Sequence, residues 1–380
     1  MRASAVIAAL VAALVGFGST IALVLSAALA VGATPAQTVS WVLAVSLAKA
    51  LGSAGLSLWS RIPVVLAWST PGAALIAASS GVSMAQAVGA FLTAGVLIAL
   101  TGLIAPLERL VARIPDGIAA GMLAGVLLPF CLRLAPATIE QAALVLPMAL
   151  AFVVVRLWNP ALAVLAALAV GLGLAVATGG WAGLQGPVAL PRLILVLPEF
   201  DPAVMLGLGA PLYLVTMASQ NLPGFATLRA AGYAPPVRPA LVVTGLLSAG
   251  SALFGAHPVN MAAITAAICL GDDVDPDRNT RWRVGLAYGG VWVLLGLAGT
   301  LVIAVLAALP PALVAAAVAL ALLGPLTGAL TAAFAPAPQR FAATVTLCVA
   351  ASGVVVLGIG AAFWGLLAGL AVLGAERLRR

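Results

Sequence analysis

One stretch inside membrane-length apolar sequence reads Leu253-Phe254-Gly255-Ala256-His257-Pro258-Val259-Asn260-Met261-Ala262-Ala263-Ile264-Thr265-Ala266-Ala267. It holds the only histidine of the chain, a proline and an asparagine within four residues. Proline removes a backbone donor and disfavours helix in the residue before it. Within a bilayer, the freed backbone groups must find partners in protein or in a water-filled cavity. We therefore expect an extended segment to about Asn260, then a half-helix that starts at Asn260 or Met261 and whose N-terminus attracts an anion.

A similar break occurs in the first half of the chain, where residues 63–78 read PVVLAWSTPGAALIAA. A run of β-type residues meets the polar sequence Ser69-Thr70-Pro71-Gly72, and a short helix of small residues is expected to follow. The run that starts at Gly72 aligns with the run that starts at Met261, about half a chain away. Paired broken helices in corresponding places mark the binding site of inverted-repeat transporters.

The composition places the chain in the membrane. Of its 380 residues, 64% are hydrophobic and 7% are charged, and the mean hydropathy is +1.23. These values exclude a water-soluble globule and indicate an all-α polytopic membrane protein. The net charge of +7 comes from basic residues scattered singly between apolar segments, so it indicates topology rather than nucleic-acid binding.

The apolar segments predict fourteen spans, and the first is interpreted as a retained span rather than a signal peptide. Residues 1–178 form the first set of seven, 179–202 a polar connector, and 203–380 the second set of seven. The segments lie near residues 4–31, 36–58, 63–80, 84–106, 116–134, 142–157, 159–178, 203–222, 238–255, 256–271, 283–308, 311–333, 340–357 and 359–375.

The arginines support this count. With a cytoplasmic N-terminus, the predicted external loops hold only Arg133 and Arg192, and all other arginines fall in internal loops, as the positive-inside rule requires. The internal set is Arg2, Arg61, Arg109, Arg113, Arg156, Arg229, Arg238, Arg278, Arg281, Arg283, Arg340, Arg377, Arg379 and Arg380. An odd number of spans per half inverts one half relative to the other, and both termini are then cytoplasmic.

All ten acidic residues fall at predicted loops or span ends. The remaining titratable groups inside the spans are Lys49 and His257. Two interpretations stay open for Lys49: its side chain snorkels to an interface, or it faces an anion. His257 has either a structural role or a functional one.

Segment 8 carries Tyr213 and then three consecutive hydrogen-bonding residues, Ser219, Gln220 and Asn221, before an expected helix break at Pro223-Gly224. At least one of the three must face a cavity or another helix, so Gln220 or Asn221 either binds substrate or joins helices. The chain has no Walker A, H-E-x-x-H or G-x-S-x-G motif. We expect no enzyme activity, no cofactor and no metal site.

Four stretches resemble the benzoate/proton symporter (BenE) family of bacterial inner membranes. They run from Met217 to Ala226 (MASQNLPGFA), Leu228 to Tyr233 (LRAAGY), Gly255 to Ile268 (GAHPVNMAAITAAI) and Ile62 to Ala74 (IPVVLAWSTPGAA). The resemblance implies the fold of uracil permeases and of sulfate and bicarbonate transporters, with two inverted repeats of seven segments. Segments 3 and 10 would each pair a short strand with a half-helix. A mobile core would comprise about 1–107 and 203–308, and a gate, which often dimerises, about 113–178 and 311–375.

The same resemblance implies a substrate site between the two breaks. Its residues would be Ser69, Thr70, Pro71, Gly72, Gln220, Asn221, His257, Pro258, Val259 and Asn260. Nucleobase-transporting relatives carry acidic residues on segments 8 and 10, where this chain has amides, so an aromatic carboxylate such as benzoate is the expected substrate. Its ring would lie against Trp68, Phe17 or Tyr213.

Import would be coupled to a proton carried by His257 or by the substrate's own carboxyl group, with elevator or rocking movement. The alternatives are another small anion, a channel-like path, or a nucleobase-like solute in the same fold. From a different class, the rival is a polytopic membrane enzyme or a structural protein. An enzyme should show catalytic residues clustered at one membrane face, and none is evident in the sequence.

Overall fold

The computed structural model describes residues 2–104, 115–160, 162–180, 183, 190–272, 274–357 and 359–378. Four arginines of the predicted internal set, Arg109, Arg113, Arg379 and Arg380, lie outside these residues. The helices are α1 (Ala3–Gly18), α2 (Ile21–Ala30), α3 (Pro35–Ser60), α4 (Thr70–Ala77), α5 (Met84–Leu103), α6 (Asp116–Leu132), α7 (Leu134–Glu140), α8 (Ala142–Trp158), α9 (Ala163–Ala177), α10 (Pro202–Val204), α11 (Ala210–Thr216), α12 (Leu222–Ala230), α13 (Val237–Ala252), α14 (Ile264–Ile268), α15 (Arg283–Leu297), α16 (Gly299–Ala307), α17 (Pro311–Phe334), α18 (Arg340–Ala351) and α19 (Ala361–Leu378). The strands are β1 (Leu66–Trp68), β2 (Val259–Met261), β3 (Val355–Val356) and β4 (Ile359–Gly360).

Within the described ranges, seven helical segments are long and apolar enough to cross a membrane. An eighth is added if α15 and α16, which meet at a 53° bend, count as one span. The predicted number of fourteen is not reached by this criterion. The predicted segments 6, 7 and 9 coincide with the shorter apolar helices α8, α9 and α13, and segments 3 and 10 contain only the short helices α4 and α14.

Segment 8 departs from the prediction. The expected break at Pro223-Gly224 is wrong, because helical structure runs from Pro202 through α12 to Ala230. Two π-helical turns, Met205–Gly209 and Met217–Asn221, interrupt the α-helical hydrogen-bond register on the way. A π turn shifts the register by one residue, and the second one ends two residues before Pro223, which has no N–H to donate.

The short hairpin β3–β4 between α18 and α19 was not predicted either, since the sequence there indicates two adjoining spans. Segment 1 is helical from Ala3 to Ala30, with an interruption at Ser19 and Thr20 between α1 and α2. The polar pair thus marks a change of helix within one span.

The centre of the molecule is a two-stranded antiparallel sheet. β1 pairs with β2 in the register Leu66↔Met261, Ala67↔Asn260 and Trp68↔Val259. The strand prediction at both breaks is therefore confirmed, but β2 runs through Met261, and α14 begins only at Ile264. The expected helix start at Asn260 or Met261 is wrong, and so is the alignment of Gly72, which lies inside α4, with Met261, which ends β2.

Both outer edges of this sheet lie inside the protein, and polar side chains from surrounding helices satisfy them. Leu66 N donates to Ser53 Oγ (3.0 Å), Tyr288 OH to Leu66 O (3.0 Å), Val259 N to Ser248 Oγ (3.0 Å) and Met261 N to Asn221 Oδ1 (2.9 Å). Burying a backbone N–H or C=O group in a membrane interior without a hydrogen-bond partner costs on the order of several kcal/mol of free energy, as it does for other polar groups. The sheet therefore depends on these side chains.

Helices pack closely around the sheet in two major pairs, α5 with α13 and α3 with α15. Glycines allow the α5–α13 contact. A Cβ added at Gly95 would come within 2.6 Å of the backbone N of Ala249, and one at Gly245 would overlap the backbone of Ala99. The two helix backbones are therefore in direct contact at these points.

Loops that were predicted to share the internal face touch one another. Arg2 Nε lies 3.4 Å from Asp275 Oδ1, and the Arg61 guanidinium lies 4.4 Å from the centroid of the Trp282 ring. These contacts join the N-terminus and the loop after α3 to the loop before α15. Arg281 of that last loop is only 5% exposed, so one arginine of the internal set is part of the folded structure rather than solvated.

The close approach of α5 and α13 can be tested with Gly245→Ala. The added methyl group must displace the Ala99 backbone, so we expect a lower apparent melting temperature in detergent, with a cost of about 1–3 kcal/mol. Gly250→Ala on the same helix is the matched control, because a Cβ there meets nothing within 4 Å. The control should be neutral or gain up to about 1 kcal/mol from helix propensity. Equal melting temperatures for the two variants would contradict the packing.

Candidate functional site

The N-terminus of α4 brings together the first four predicted site residues. Ser69 is the N-cap, and its Oγ accepts the Gly72 N–H at 3.2 Å and lies 2.9 Å from Thr216 Oγ1. Pro71 has no N–H to offer. Thr70 is the remaining polar residue of this turn, and its hydroxyl lies 3.4 Å from that of Thr20. The protein itself thus occupies much of the helix terminus that was expected to bind an anion through backbone N–H groups.

On the opposite strand, Asn260 is fully buried at the centre of β2. Its Nδ2 donates to the backbone oxygen of Met261 at 2.8 Å and to Gln220 Oε1 at 3.4 Å. Asn260 Oδ1 is buried and has no hydrogen-bond partner among the described residues. Asn260 is therefore a strand residue with one free acceptor, and not the cap of a half-helix.

The two amides of segment 8 have different roles. Asn221 is fully buried, and its Oδ1 accepts the backbone N–H of Met261 at 2.9 Å. Gln220 is half-buried and contacts only the side chain of Asn260 among its recorded hydrogen bonds. Asn221 ties the helix to β2, while Gln220 stays available to a bound molecule.

His257 is fully buried and bonded to a tryptophan that the sequence did not indicate. Trp41 Nε1 donates to His257 Nδ1 at 2.8 Å. Indole is a donor only, so Nδ1 accepts and the neutral imidazole carries its proton on Nε2. His257 Nε2 makes no hydrogen bond of normal geometry in the described structure.

The next two predicted residues, Pro258 and Val259, contribute backbone hydrogen bonds that hold the sheet. Pro258 O accepts the Ser69 N–H at 3.0 Å, which extends the pairing of the two breaks by one bond. The Val259 N–H donates to Ser248 Oγ, and the same hydroxyl donates to Val259 O. Val259 also pairs with Trp68 in the sheet. Both residues therefore hold the two halves of the site together.

Two of the three predicted aromatic residues lie together. The ring centroids of Phe17 and Trp68 are 5.7 Å apart, and Trp292 of α15 completes the cluster at 5.9 Å from Phe17 and 5.2 Å from Trp68. Tyr213 lies elsewhere, since its hydroxyl is 2.6 Å from the Thr101 hydroxyl on α5. Tyr213 is therefore not part of this aromatic cluster, whereas Trp292, which was not predicted, is.

Lys49 lies near the middle of α3 and is 1% exposed. Its Nζ is 2.8 Å from the centroid of the Trp292 ring and 4.1 Å from that of Trp68. The snorkelling interpretation is wrong, because the side chain ends between two buried indoles. A lysine and a tryptophan near the middle of two apolar segments were the available sequence signal, but nothing in the sequence indicates that they meet.

A small open groove lies beyond the other end of α4. It is lined by the C-terminal part of α4, by α6 and by the region of the β3–β4 hairpin, including Leu75, Val126 and Gly360. None of the predicted site residues lines it. The groove lies between elements assigned to the predicted core and elements assigned to the predicted gate.

Comparisons with known proteins agree with a membrane transporter. The family model described as "Benzoate membrane transport protein" (BenE) matches residues 1–375. The inner membrane protein YdcO of Escherichia coli is 40% identical over 96% of this chain and 93% of its own length. A benzoate membrane transport protein of Acinetobacter baylyi is 34% identical over 86% of this chain and 83% of its own. In structure, the transmembrane domain of the cyanobacterial bicarbonate transporter BicA matches with a TM-score of 0.59 at 16% identity, covering 97% of this chain and 98% of that one.

The different roles of the two amides predict different effects on stability. Asn221→Ala leaves the buried Met261 N–H without its acceptor, so we expect a loss of about 1–3 kcal/mol and a lower melting temperature in detergent. Gln220→Ala removes only a long hydrogen bond from a half-buried side chain and should change stability little. The reverse order of the two melting temperatures would show that Asn221 does not support β2.

Proposed function

The chain belongs to the benzoate membrane transport protein family, and from this we propose that it imports benzoate or a related aromatic carboxylate across the bacterial cytoplasmic membrane, together with a proton. Transport would be secondary and would proceed by alternating access. The relative in Escherichia coli is named an inner membrane protein, and the apolar helices of this chain support the same location.

One observation supports an anionic substrate. The buried groups at the two breaks are hydroxyls, an amide, an imidazole and, next to them, the amine of Lys49, whereas no acidic residue occurs within either break. An anion that enters this region meets donors and positive charge without an opposing carboxylate. Such a site disfavours cations, because a desolvated positive charge would find no counter-ion.

We place the substrate between the N-terminus of α4 and β2. The Thr70 hydroxyl makes one long contact, 3.4 Å to Thr20 Oγ1, and Gln220 and Asn260 lie on the opposite side of the break. The positive end of the α4 dipole adds about half an elementary charge at this place. The ring would then contact Trp68 and Phe17, whose apolar faces suit an aromatic substrate.

The packing supports a fourteen-segment arrangement of two inverted repeats. The pair α5–α13 joins predicted segments 4 and 9, and the pair α3–α15 joins segments 2 and 11. In two repeats of seven, segment 4 corresponds to segment 11 and segment 9 to segment 2. Exchanging the two halves of the chain therefore converts the first pair into the second. The antiparallel β1–β2 pairing has the same property, since it joins segments 3 and 10. In this arrangement the core would be about 1–107 and 203–308, the gate about 113–178 and 311–375, and the gate would be the surface for a homodimer.

The groove beyond α4 supports alternating access. With cytoplasmic termini, the C-terminal end of α4, the start of segment 8 and the β3–β4 hairpin all fall on the external side, and all three line the groove. We propose that it is part of the external path and that core movement against the gate opens and closes it.

The proton has two candidate carriers. Nδ1 of His257 accepts the Trp41 N–H, so a proton on Nδ1 requires that this bond break. The other carrier is the carboxyl group of the substrate, whose O–H can donate to the free Asn260 Oδ1. The same free acceptor also suits an N–H of a nucleobase-like solute, which keeps that class as the alternative substrate.

Uptake of radiolabelled benzoate into proteoliposomes tests the function. We expect saturable uptake that an inward proton gradient stimulates. Saturable uptake without stimulation would overturn proton coupling and keep the substrate. Folded protein that takes up no benzoate would overturn the substrate, and uracil should then be tested alongside other small anions.

Asn260→Asp places a carboxylate in the buried centre of the site. We expect uptake to fall below about a tenth of the wild-type rate, because like charges repel strongly where water is excluded. Asn279→Asp makes the same chemical change in an exposed loop and should leave uptake unchanged. Asn260→Asp that inserts, folds and transports normally would remove Asn260 from the site.

A further inference from the structure

Lys49 is the only lysine of the chain, and its ammonium is buried without an anionic partner. The ion pairs recorded among the described residues, Arg2 with Asp275 and Arg281 with Asp272, both lie at the loop before α15. No hydrogen bond of Lys49 is formed within the described structure either; its recorded contacts are the faces of Trp292 and Trp68. A buried ammonium normally has acceptors or a carboxylate beside it.

The surroundings of Lys49 suit a ligand with one carboxylate and one aromatic ring. Phe17, Trp68 and Trp292 form three tilted or edge-on ring pairs around the ammonium side of α3. These faces provide attraction to a cation but cannot replace the hydrogen bonds of a lost hydration shell. What the cluster lacks is an acceptor with a negative charge.

The cluster is continuous with the two breaks. Trp68 is the last residue of β1, directly before the Ser69 cap, and its ring centroid is 6.4 Å from that of His257. His257 has a buried Nε2 with no hydrogen bond of normal geometry, so a second donor borders the same indole. In contrast, the cap of α4 is largely occupied by Ser69 Oγ. Side-chain donors beside Trp68 are therefore better placed for an anion than the helix terminus.

We propose that Lys49 is a substrate-binding residue whose ammonium pairs with the substrate carboxylate, while Trp68, Trp292 and Phe17 contact the substrate ring. This inference rests on the proposed function for the identity of the substrate, but not for the charge of the ligand. It assigns to Lys49 the main positive charge of the site, with the α4 terminus and Thr70 as secondary contacts.

The test compares Lys49→Met, which removes the charge and keeps an unbranched side chain, with Lys49→Arg, which keeps a positive charge. Benzoate binding is followed by tryptophan fluorescence and by the ligand-induced rise in melting temperature. Lys49→Met should weaken benzoate binding at least about 30-fold, the effect expected when one member of a buried charge pair is removed. Lys49→Arg should retain part of the binding. Benzamide, which is uncharged, should bind weakly to all three proteins.

A second readout separates a binding role from a structural one. Without ligand, Lys49→Met should melt at the same or a higher temperature than wild type, because it removes an uncompensated buried charge. A structural lysine would instead give a lower melting temperature. Arg61→Met is the matched control. Arg61 is exposed at the C-terminal end of α3, and its guanidinium also lies over a tryptophan ring, that of Trp282. This substitution should not change benzoate binding.

The outcomes distinguish this inference from the proposed function. Wild type that binds benzoate, with Lys49→Met binding equally well, overturns the role of Lys49 and keeps the substrate. Wild type that binds another carboxylate but not benzoate overturns the substrate, and loss of that binding in Lys49→Met supports Lys49. Wild type that binds no anion from a panel of aromatic and aliphatic carboxylates overturns both.

Discussion

The structure depends on the pairing of two extended segments, β1 and β2, inside a molecule of helices. A strand at membrane depth exposes N–H and C=O groups that water cannot reach. Each strand bonds its inner edge to the other, and Ser53, Ser248, Tyr288 and Asn221 satisfy groups at the outer edges. The helices that supply these side chains are thereby fixed around the sheet.

The same constraint explains why the residues of the candidate site come together. Two chain breaks from opposite halves must meet, because neither can satisfy its backbone alone. Their meeting brings Ser69, Thr70, His257 and Asn260 together at the centre of the packed helices. Several polar atoms there, such as Asn260 Oδ1, stay without partners once the backbone is satisfied. The backbone requirement builds the sheet, and the polar atoms beyond that requirement are free for a ligand.

Sequence patterns predicted the parts that depend on local chemistry. Proline beside polar residues in an apolar run revealed both breaks, and single polar residues at membrane depth identified His257 and Asn260. The start of α14 was missed because Val259 to Met261 are held as a strand by β1, which is a distant contact rather than a local propensity. The continuation of segment 8 as a helix through Pro223 was missed because a π turn before the proline lets the helix continue, and π turns have no clear sequence signature. The partners of Lys49 could not be predicted, since Trp68 and Trp292 approach it from two other segments.

The electrostatics of the site suggest why a bound anion and core movement would be linked. When Lys49 is protonated, a region with this lysine and no acid has a net positive charge while it is empty, and moving such a charge relative to lipid or low-dielectric protein is costly. A carboxylate bound beside Lys49 brings the region closer to neutrality. In the proposed core movement, the occupied core would then have a lower electrostatic cost of movement than the empty one, and the ligand would bias the equilibrium through its own charge. A proton held in the same region, on the substrate carboxyl or on His257, would add one positive charge and return the region to the charge of the empty state. The advantage is kept only by a proton bound outside this region, so the net charge of the occupied region, and not the choice between these two carriers, determines whether movement is favoured.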